Sequence, residues 1–333
     1  MGSETISVIS IIYDVDTFLE QSIESMVNQT YRDLEIILVI GEGKGDGCLD
    51  IAEKFAAKDD RIKIVSTPAR GTGDARNQGL NAATGSYIGF VDGDDYAEPE
   101  MFEKMMKNLR EHGADIAVCG KYSEYSDGSV ADKREGLQEM TPAEAYEMIM
   151  RGTGFFFHCW DKLFKAEIFD GLRFPDDRYL EDRYVIDKAI GRASKIVYDP
   201  EALYHYRVRG DSLSRIRKMS EYNTDADTDF CEFVSGNCPE LKNICRSFLM
   251  YDHITCIQNY LLYFRGEGSD SDMDERYRKH LKYVAEDSKI PNPEINGKMK
   301  LKIFLCLHMR SVLAAITRKN VGKAKAEHEV FTR

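Results

Sequence analysis

The sequence predicts an α/β fold: a mostly parallel central sheet with helices on both faces, followed by a separate helical region. Short apolar runs alternate with amphipathic stretches of helical length through the first 120 residues, which is the pattern of successive βαβ units. Those runs are apolar on consecutive residues, as strands covered on both faces are. From about Glu221 onward long helical patterns take over.

Ser7–Tyr13 reads as the first strand, and Phe18–Asn28 as a helix that turns Leu19, Ile23, Met26 and Val27 inward. Glu35–Ile40 is the second strand, Cys48–Lys58 a helix, Ile62–Ser66 the third strand, and Asp74–Ala83 a helix ended by Gly85. Tyr87–Val91, short, β-branched and aromatic, is a buried strand. Glu100–Glu111 is a helix stopped by Gly113, and Ala114–Gly120 another strand. The polar stretch 122–136 is a loop or edge hairpin. Thr141 opens a helix to about Met150, with Pro142 in its first turn and Glu144 three residues on. Phe155 to Arg215 is dense in aromatics and charges without a clean period, and Pro291 and Pro293 mark a linker. The expected division is a chemical domain over 1–217 and a helical region over 218–333.

A chain of 333 residues that is 43% hydrophobic and 31% charged is an ordinary globular protein, long enough for one large domain and a smaller one. Its net charge of −12 argues against nucleic acid as the main partner. The eight cysteines form no C-x-x-C pair. Cys231, Cys238 and Cys245 recur every seven residues, but Gly236 and Pro239 interrupt any single helix through them. Buried free thiols are the reading, and zinc is not expected. The polar start and the lack of an uncharged run of spanning length place the expected protein in a reducing cytoplasm.

The chemistry concentrates where Tyr87–Val91 runs into Asp92, Asp94 and Asp95. Carboxylates that close repel unless a cation neutralises them, and hard divalent ions take carboxylate oxygens. Strand carboxyl ends are also where ligands bind in open α/β sheets. A metal–diphosphate site is the functional reading; a helix N-cap followed by solvated acids, before Pro99 and Glu100, is the bland one. Gly41 to Gly47 misses the dinucleotide fingerprint, because Asp46 stands at its third glycine, and reads as a flexible loop beside the ligand crevice. Arg70 to Asn77 opens a helix with glycines that let backbone N–H groups approach an anion, and Arg76 points either to that anion or to Asp92 or Asp94. Glu181 and Asp182, after the Pro175–Arg178 loop, form a second acidic point: a helix cap, or a general base facing the crevice. His205 to Ser212 supplies cations and a hydroxyl for a diphosphate, or forms a solvated basic loop.

These pieces together resemble family 2 glycosyltransferases of the GT-A fold. In order they are Tyr13-Asp14, Asn28-Gln29-Thr30-Tyr31 before Leu34-Glu35, Ala75-Arg76-Asn77-x-Gly79, Val91-Asp92-Gly93-Asp94-Asp95, Trp160-Asp161-Lys162-Leu163-Phe164 and Glu181-Asp182. Tyr206-Arg207 with Ser212 is similar to a segment of bacterial capsule, lipopolysaccharide and wall-teichoic-acid transferases. The resemblance covers roughly residues 5–217. It implies an inverting, metal-dependent transfer from a nucleotide-sugar donor, a UDP-sugar, to the hydroxyl of a glycan or lipid-linked glycan in bacterial surface polysaccharide synthesis. It implies Asp92 near the donor ribose and Asp94 on Mn²⁺ or Mg²⁺, with Asp92 beside the metal. It makes Asp182 the catalytic base, oriented with Glu181, and puts Tyr13 and Arg76 near the nucleotide and Arg207 and Ser212 near the diphosphate. The chain departs from the family at Ile11, where a proline is usual, and at Gly93, where a serine is usual. It also departs at Ile40-Gly41-Glu42-Gly43, where Glu42 stands in for the base-binding aspartate. A degenerate nucleotide-sugar-binding protein and a sugar-phosphate nucleotidyltransferase are the rivals, and the latter lacks its Gly-rich loop after Tyr13.

Residues 298–325 hold eight Lys or Arg and no Asp or Glu. Within 298–319, Leu301, Leu305, Met309, Leu313 and Ile316 line one face of an expected single helix. A basic amphipathic helix suits peripheral contact with the anionic inner face of a membrane. Docking on the protein's own acidic body, or on a second subunit in a homo-oligomer, is the alternative.

Overall fold

The computed structural model describes residues 4–42, 47–68, 70–131, 134, 136–210, 219–264 and 271–324, without the side chains of 42, 219, 220 and 321–324. The chain forms two compact units that part between Arg209 and Gly210. The expected boundary after residue 217 falls in 211–218, outside the described residues.

The first unit runs β1 (Ile6–Ile12), α1 (Asp16–Val27), β2 (Leu34–Glu42), α2 (Cys48–Ala56), β3 (Ile62–Pro68), α3 (Thr72–Ala82), β4 (Tyr87–Phe90), β5 (Tyr96–Ala97), α4 (Met101–His112) and β6 (Ile116–Tyr125). It continues with β7 (Gly128–Ala131), β8 (Gln138–Met140), α5 (Pro142–Arg151), β9 (Lys162–Lys165), α6 (Arg183–Arg192) and β10 (Ile196–Arg207). The strand order is β3-β2-β1-β4-β9-β6-β10-β5, with β7 on β6 and β8 on β10. β3, β2, β1 and β4 are parallel; β9 lies antiparallel between β4 and β6; β6 and β10 are parallel to each other. All the longer strands in that order except β9 therefore share one direction, as the consecutive apolar runs imply.

Both faces of the sheet are covered. Leu19, Ile23 and Met26 of α1, Ala52 of α2 and Phe102 and Met105 of α4 join Ile6, Val8, Ile36 and Leu38 in one buried cluster. α3 covers the opposite face so closely that a Cβ on Gly79 would lie 2.3 Å from Ile9 Cγ2. The stretch 122–136 contains the β6–β7 hairpin. Thr141 caps α5 with a reciprocal Glu144 bond. β10 slips register against β6 between Asp199 and Ala202, where a Cβ on Gly120 would meet the Pro200 carbonyl at 2.1 Å. Beyond that irregularity Tyr204 and His205 pair with β5, directly after the acidic cluster. His205 is held by Glu124 at 2.7 Å and Glu98 at 2.8 Å, and stacks between Tyr96 and Tyr122.

The second unit consists of α7 (Met219–Asn237), α8 (Lys242–Asn259), a π-helical turn (Tyr260–Phe264), α9 (Ser271–Asp287), α10 (Gly297–His308) and α11 (Arg310–Ala324). The single tail helix expected over 298–319 is corrected to two helices. Met309 leaves helical geometry, with φ −136° and ψ 50°, and its carbonyl accepts from Val312 and Leu313 as a new helix start. Ile303, Leu305 and Cys306 of α10 and Leu313 and Ala314 of α11 enter one core with Met250, Ile254 and Val284. Leu301, Phe304, Met309, Val312 and Ile316 stay exposed.

Candidate active site

The acidic cluster continues β4 along the end of β1: Val91 N–H donates to the Ile9 carbonyl at 3.1 Å and Gly93 N–H to that of Ile11 at 3.2 Å. A Cβ at residue 93 would stand 2.9 Å from the Ile11 carbonyl oxygen, so glycine relieves a crowded turn where the family's serine is absent. The three acids then separate in role. Asp95, almost fully buried, accepts the Arg207 backbone N–H at 2.8 Å and the Tyr204 hydroxyl at 3.0 Å, tying the turn to β10. Burial, then the Asp94 and Asp92 charges, push its carboxyl well above the usual range. Asp94 receives Arg209 Nη1 at 2.8 Å. Asp92 is raised to about 6 by burial, then by the Asp94 and Asp182 charges against the opposing pull of Arg76.

Arg76 joins this cluster to the second acidic point. It projects from α3 into the interior with 5% of its surface exposed, reaches Asp92 Oδ1 at 3.3 Å, and pairs with Glu181 Oε1 over the face of Phe174. Its neighbours fix that reach. Asn77 makes two hydrogen bonds to the Phe174 backbone, at 2.7 and 2.9 Å. A Cβ on Gly73 would strike the Pro175 carbonyl at 1.9 Å, so the first turn of α3 is packed under the 174–176 segment. Arg76, Asn77 and Gly79 of the Ala75-Arg76-Asn77-x-Gly79 pattern are thus each set by a different contact.

Glu181 and Asp182 follow Leu180, whose φ of +60° is rare for a branched side chain. Asp182 starts α6, its Oδ1 accepting the Arg183 N–H at 2.9 Å while Oδ2 lies 4.0 Å from His158 Nδ1. It is thus both a cap and a partly exposed carboxylate. Desolvation, reinforced by the charges of Lys121, Lys162, Arg183 and Arg76, lowers His158 from its ordinary value. His158 stacks on Trp160, which stacks on Tyr204 and Tyr206. The buried Lys162 donates to the Phe156 and His158 carbonyls, each at 2.7 Å, and to Asp161 at 2.6 Å. Trp160-Asp161-Lys162 thereby shapes the loop that carries His158.

Among the other residues singled out from the sequence, Tyr13 stands 57% exposed at the end of β1, followed by Asp14 at φ +55°. Arg207 is buried: its guanidinium holds the Asp94 carbonyl and Gln21 and stacks on Tyr96 and Phe18. Arg209, two residues on, meets the Asp94 carboxylate instead. Ser212 and the side chain of Glu42 lie outside the described residues. Sequence reasoning did not single out His158, and it took Arg209 only as one cation of the 205–212 stretch. The signals were present in His158-x-Trp160 and in the second arginine of Arg207-Val208-Arg209.

The chain is similar to known proteins in both sequence and fold. The "Glycosyl transferase family 2" model matches residues 7–173. EpsJ of Bacillus subtilis, described as an uncharacterized glycosyltransferase, is 36% identical over 218 residues, which span 63% of this chain and 63% of EpsJ. The S. aureus TarS 1–349 structure in complex with UDP-GlcNAc superposes with a TM-score of 0.67 at 18% identity, covering 98% of this chain and 93% of that one. The mannosyltransferase PcManGT from Pyrobaculum calidifontis, solved with GDP-Man and Mn²⁺, gives a TM-score of 0.55 at 15% identity, covering 96% and 85%. The two structures show a shared fold, GT-A. The family model spans β1 to the segment that Asn77 holds, and so contains Arg76 and the Asp92–Asp95 turn. By that match this chain belongs to glycosyl transferase family 2.

Proposed function

We propose that the chain transfers a sugar from a UDP-sugar donor to an acceptor hydroxyl with inversion, in the synthesis of a bacterial surface polysaccharide. The observation that carries the reading is the pairing of Asp92 and Glu181 through buried Arg76, which binds a donor-side acidic turn to an acceptor-side carboxylate. TarS, solved with UDP-GlcNAc, and PcManGT, solved with GDP-Man and Mn²⁺, support a nucleotide-sugar donor and a divalent ion.

The side chains present fit Mn²⁺ or Mg²⁺. Asp92 and Asp94 offer hard oxygens at a strand end, and burial together with like charge has raised Asp92 to about 6, a cost that a cation removes. When bound there, the ion supplies positive charge for the departing nucleoside diphosphate. Arg209 beside Asp94 adds a fixed cation on the same side. Tyr13 presents an open aromatic face near the end of β1 for the nucleotide. Asp182 accepts the proton of the acceptor hydroxyl as it attacks the anomeric carbon opposite the diphosphate. His158 stands beside it, its Nδ1 4.0 Å from Asp182 Oδ2. Asp94→Ala is expected to weaken Mn²⁺-dependent UDP binding at least tenfold by calorimetric titration; unchanged affinity refutes the metal role.

The acceptor on this reading is a glycan or lipid-linked glycan, met at the inner face of the cell membrane. The exposed Leu301, Phe304, Val312 and Ile316 lie in a segment that is basic throughout, which suits an anionic lipid surface. No helix among the described residues is long and apolar enough to cross a membrane. Deleting the tail would remove Leu305 and Leu313 from the core, so point changes are the cleaner test. Phe304→Glu with Ile316→Glu is expected to lower co-sedimentation with phosphatidylglycerol vesicles severalfold, and equal binding would remove the membrane from the account.

A further inference from the structure

We infer that the helical unit holds a structural divalent-metal site of the zinc type, ligated by Glu221, Cys256 and His280. Each ligand comes from a different helix, α7, α8 and α9, and their ligand atoms all lie within 4.8 Å of one another. Metal–ligand bonds of about 2.0–2.3 Å in a tetrahedral shell place ligand atoms roughly 3.3–3.8 Å apart, so closing the set takes only small side-chain shifts. All three side chains are buried, at 3%, 1% and 5% exposure.

The donor chemistry suits zinc better than the reaction's Mn²⁺ or Mg²⁺. A thiolate, a carboxylate and a neutral imidazole offer one soft, one hard and one intermediate donor, with Arg276 3.7 Å from the Glu221 carboxylate at the edge of the set. Loading takes the thiol proton from Cys256, so binding releases a proton. The surroundings resemble an outer shell. His280 directs Nε2 towards Glu221, at 2.8 Å, while its Nδ1 is held by His253 Nδ1 at 2.7 Å. A ligating histidine is commonly oriented in this way through its other nitrogen. His253, stacked on Tyr283 at 3.7 Å, is placed to accept that N–H. Thr224 Oγ1 lies 3.1 Å from the Cys256 sulfur and supplies, directly or through a water, a fourth ligand. Glu221 with Thr224, and His253 with Cys256, are each three residues apart on one helix face, so α7 and α8 each give one ligand and one supporting group. A search for paired cysteines cannot see such a site, because its ligands are spread over sixty residues.

The site clamps α7, α8 and α9 of the helical unit together. The test is a titration of the chelator-treated full chain with Co²⁺. One equivalent should bind with thiolate-to-cobalt charge-transfer absorption, and Zn²⁺ should displace it with a Kd below about 1 µM. Cys256→Ser should abolish the band and Cys119→Ser should keep it. A wild-type protein without the band, or a band that survives Cys256→Ser, overturns the site and leaves a hydrogen-bonded polar cluster. X-ray absorption of the Zn²⁺-loaded wild type needs no variant to fold: one sulfur among nitrogen and oxygen neighbours supports the site, and a shell without sulfur overturns it.

Discussion

Asp182→Asn is expected to lower turnover by roughly 10²–10⁴-fold while UDP affinity in the presence of Mn²⁺ stays within about twofold. The substitution is chosen for what it preserves. Asparagine is as good a helix cap as aspartate, so the bond from Arg183 N–H to Oδ1 and the start of α6 survive. What disappears is a carboxylate able to take a proton. Initial rates of UDP release, read beside calorimetric donor binding, separate the two effects. Turnover within a few-fold of wild type would mean that Asp182 is only a cap.

Arg76→Met is expected to cost stability as well as activity, about 3–5 kcal/mol in urea unfolding. Methionine fills the space over Phe174 but leaves Glu181, 6% exposed, without its cation, and Asp92 with its acidic neighbours uncompensated. Asp92, Glu181 and Asp182 would then repel one another across the gap that Arg76 bridges. A stability loss below about 1 kcal/mol would show that Glu181 and Asp92 are held by other contacts and that the bridge is incidental.

The elements legible in the sequence are those whose signals are local. β1 to β4, α1 to α4 and the α5 capping box follow from apolar runs, glycine stops and a Thr141–Glu144 pair only three residues apart. β9 and the far half of β10 carry no period, because their places are set by distant partners: β9 by β4 and β6, and Tyr204–Arg207 by the Asp95 carboxylate more than a hundred residues earlier. The acidic residues of the site were legible as a cluster, but the division of labour among them was not. Asp95 is a fastening and Arg207 lies beneath the turn with Arg209 facing Asp94, distinctions that depend on burial and on the slipped register at Pro200. The tail's periodicity was real, yet Met309 leaves helical geometry and divides it into two helices, both of which give residues to the core.

The central claim, that Asp182 drives attack from the face opposite the diphosphate, is tested most directly by stereochemistry. Slow donor hydrolysis needs no acceptor, so proton NMR can follow the sugar released from whichever UDP-α-sugar gives the largest Mn²⁺-dependent thermal shift. The account predicts the β-anomer as the first product, appearing before mutarotation, and its loss in Asp182→Asn. An α-anomer as the first product would contradict it.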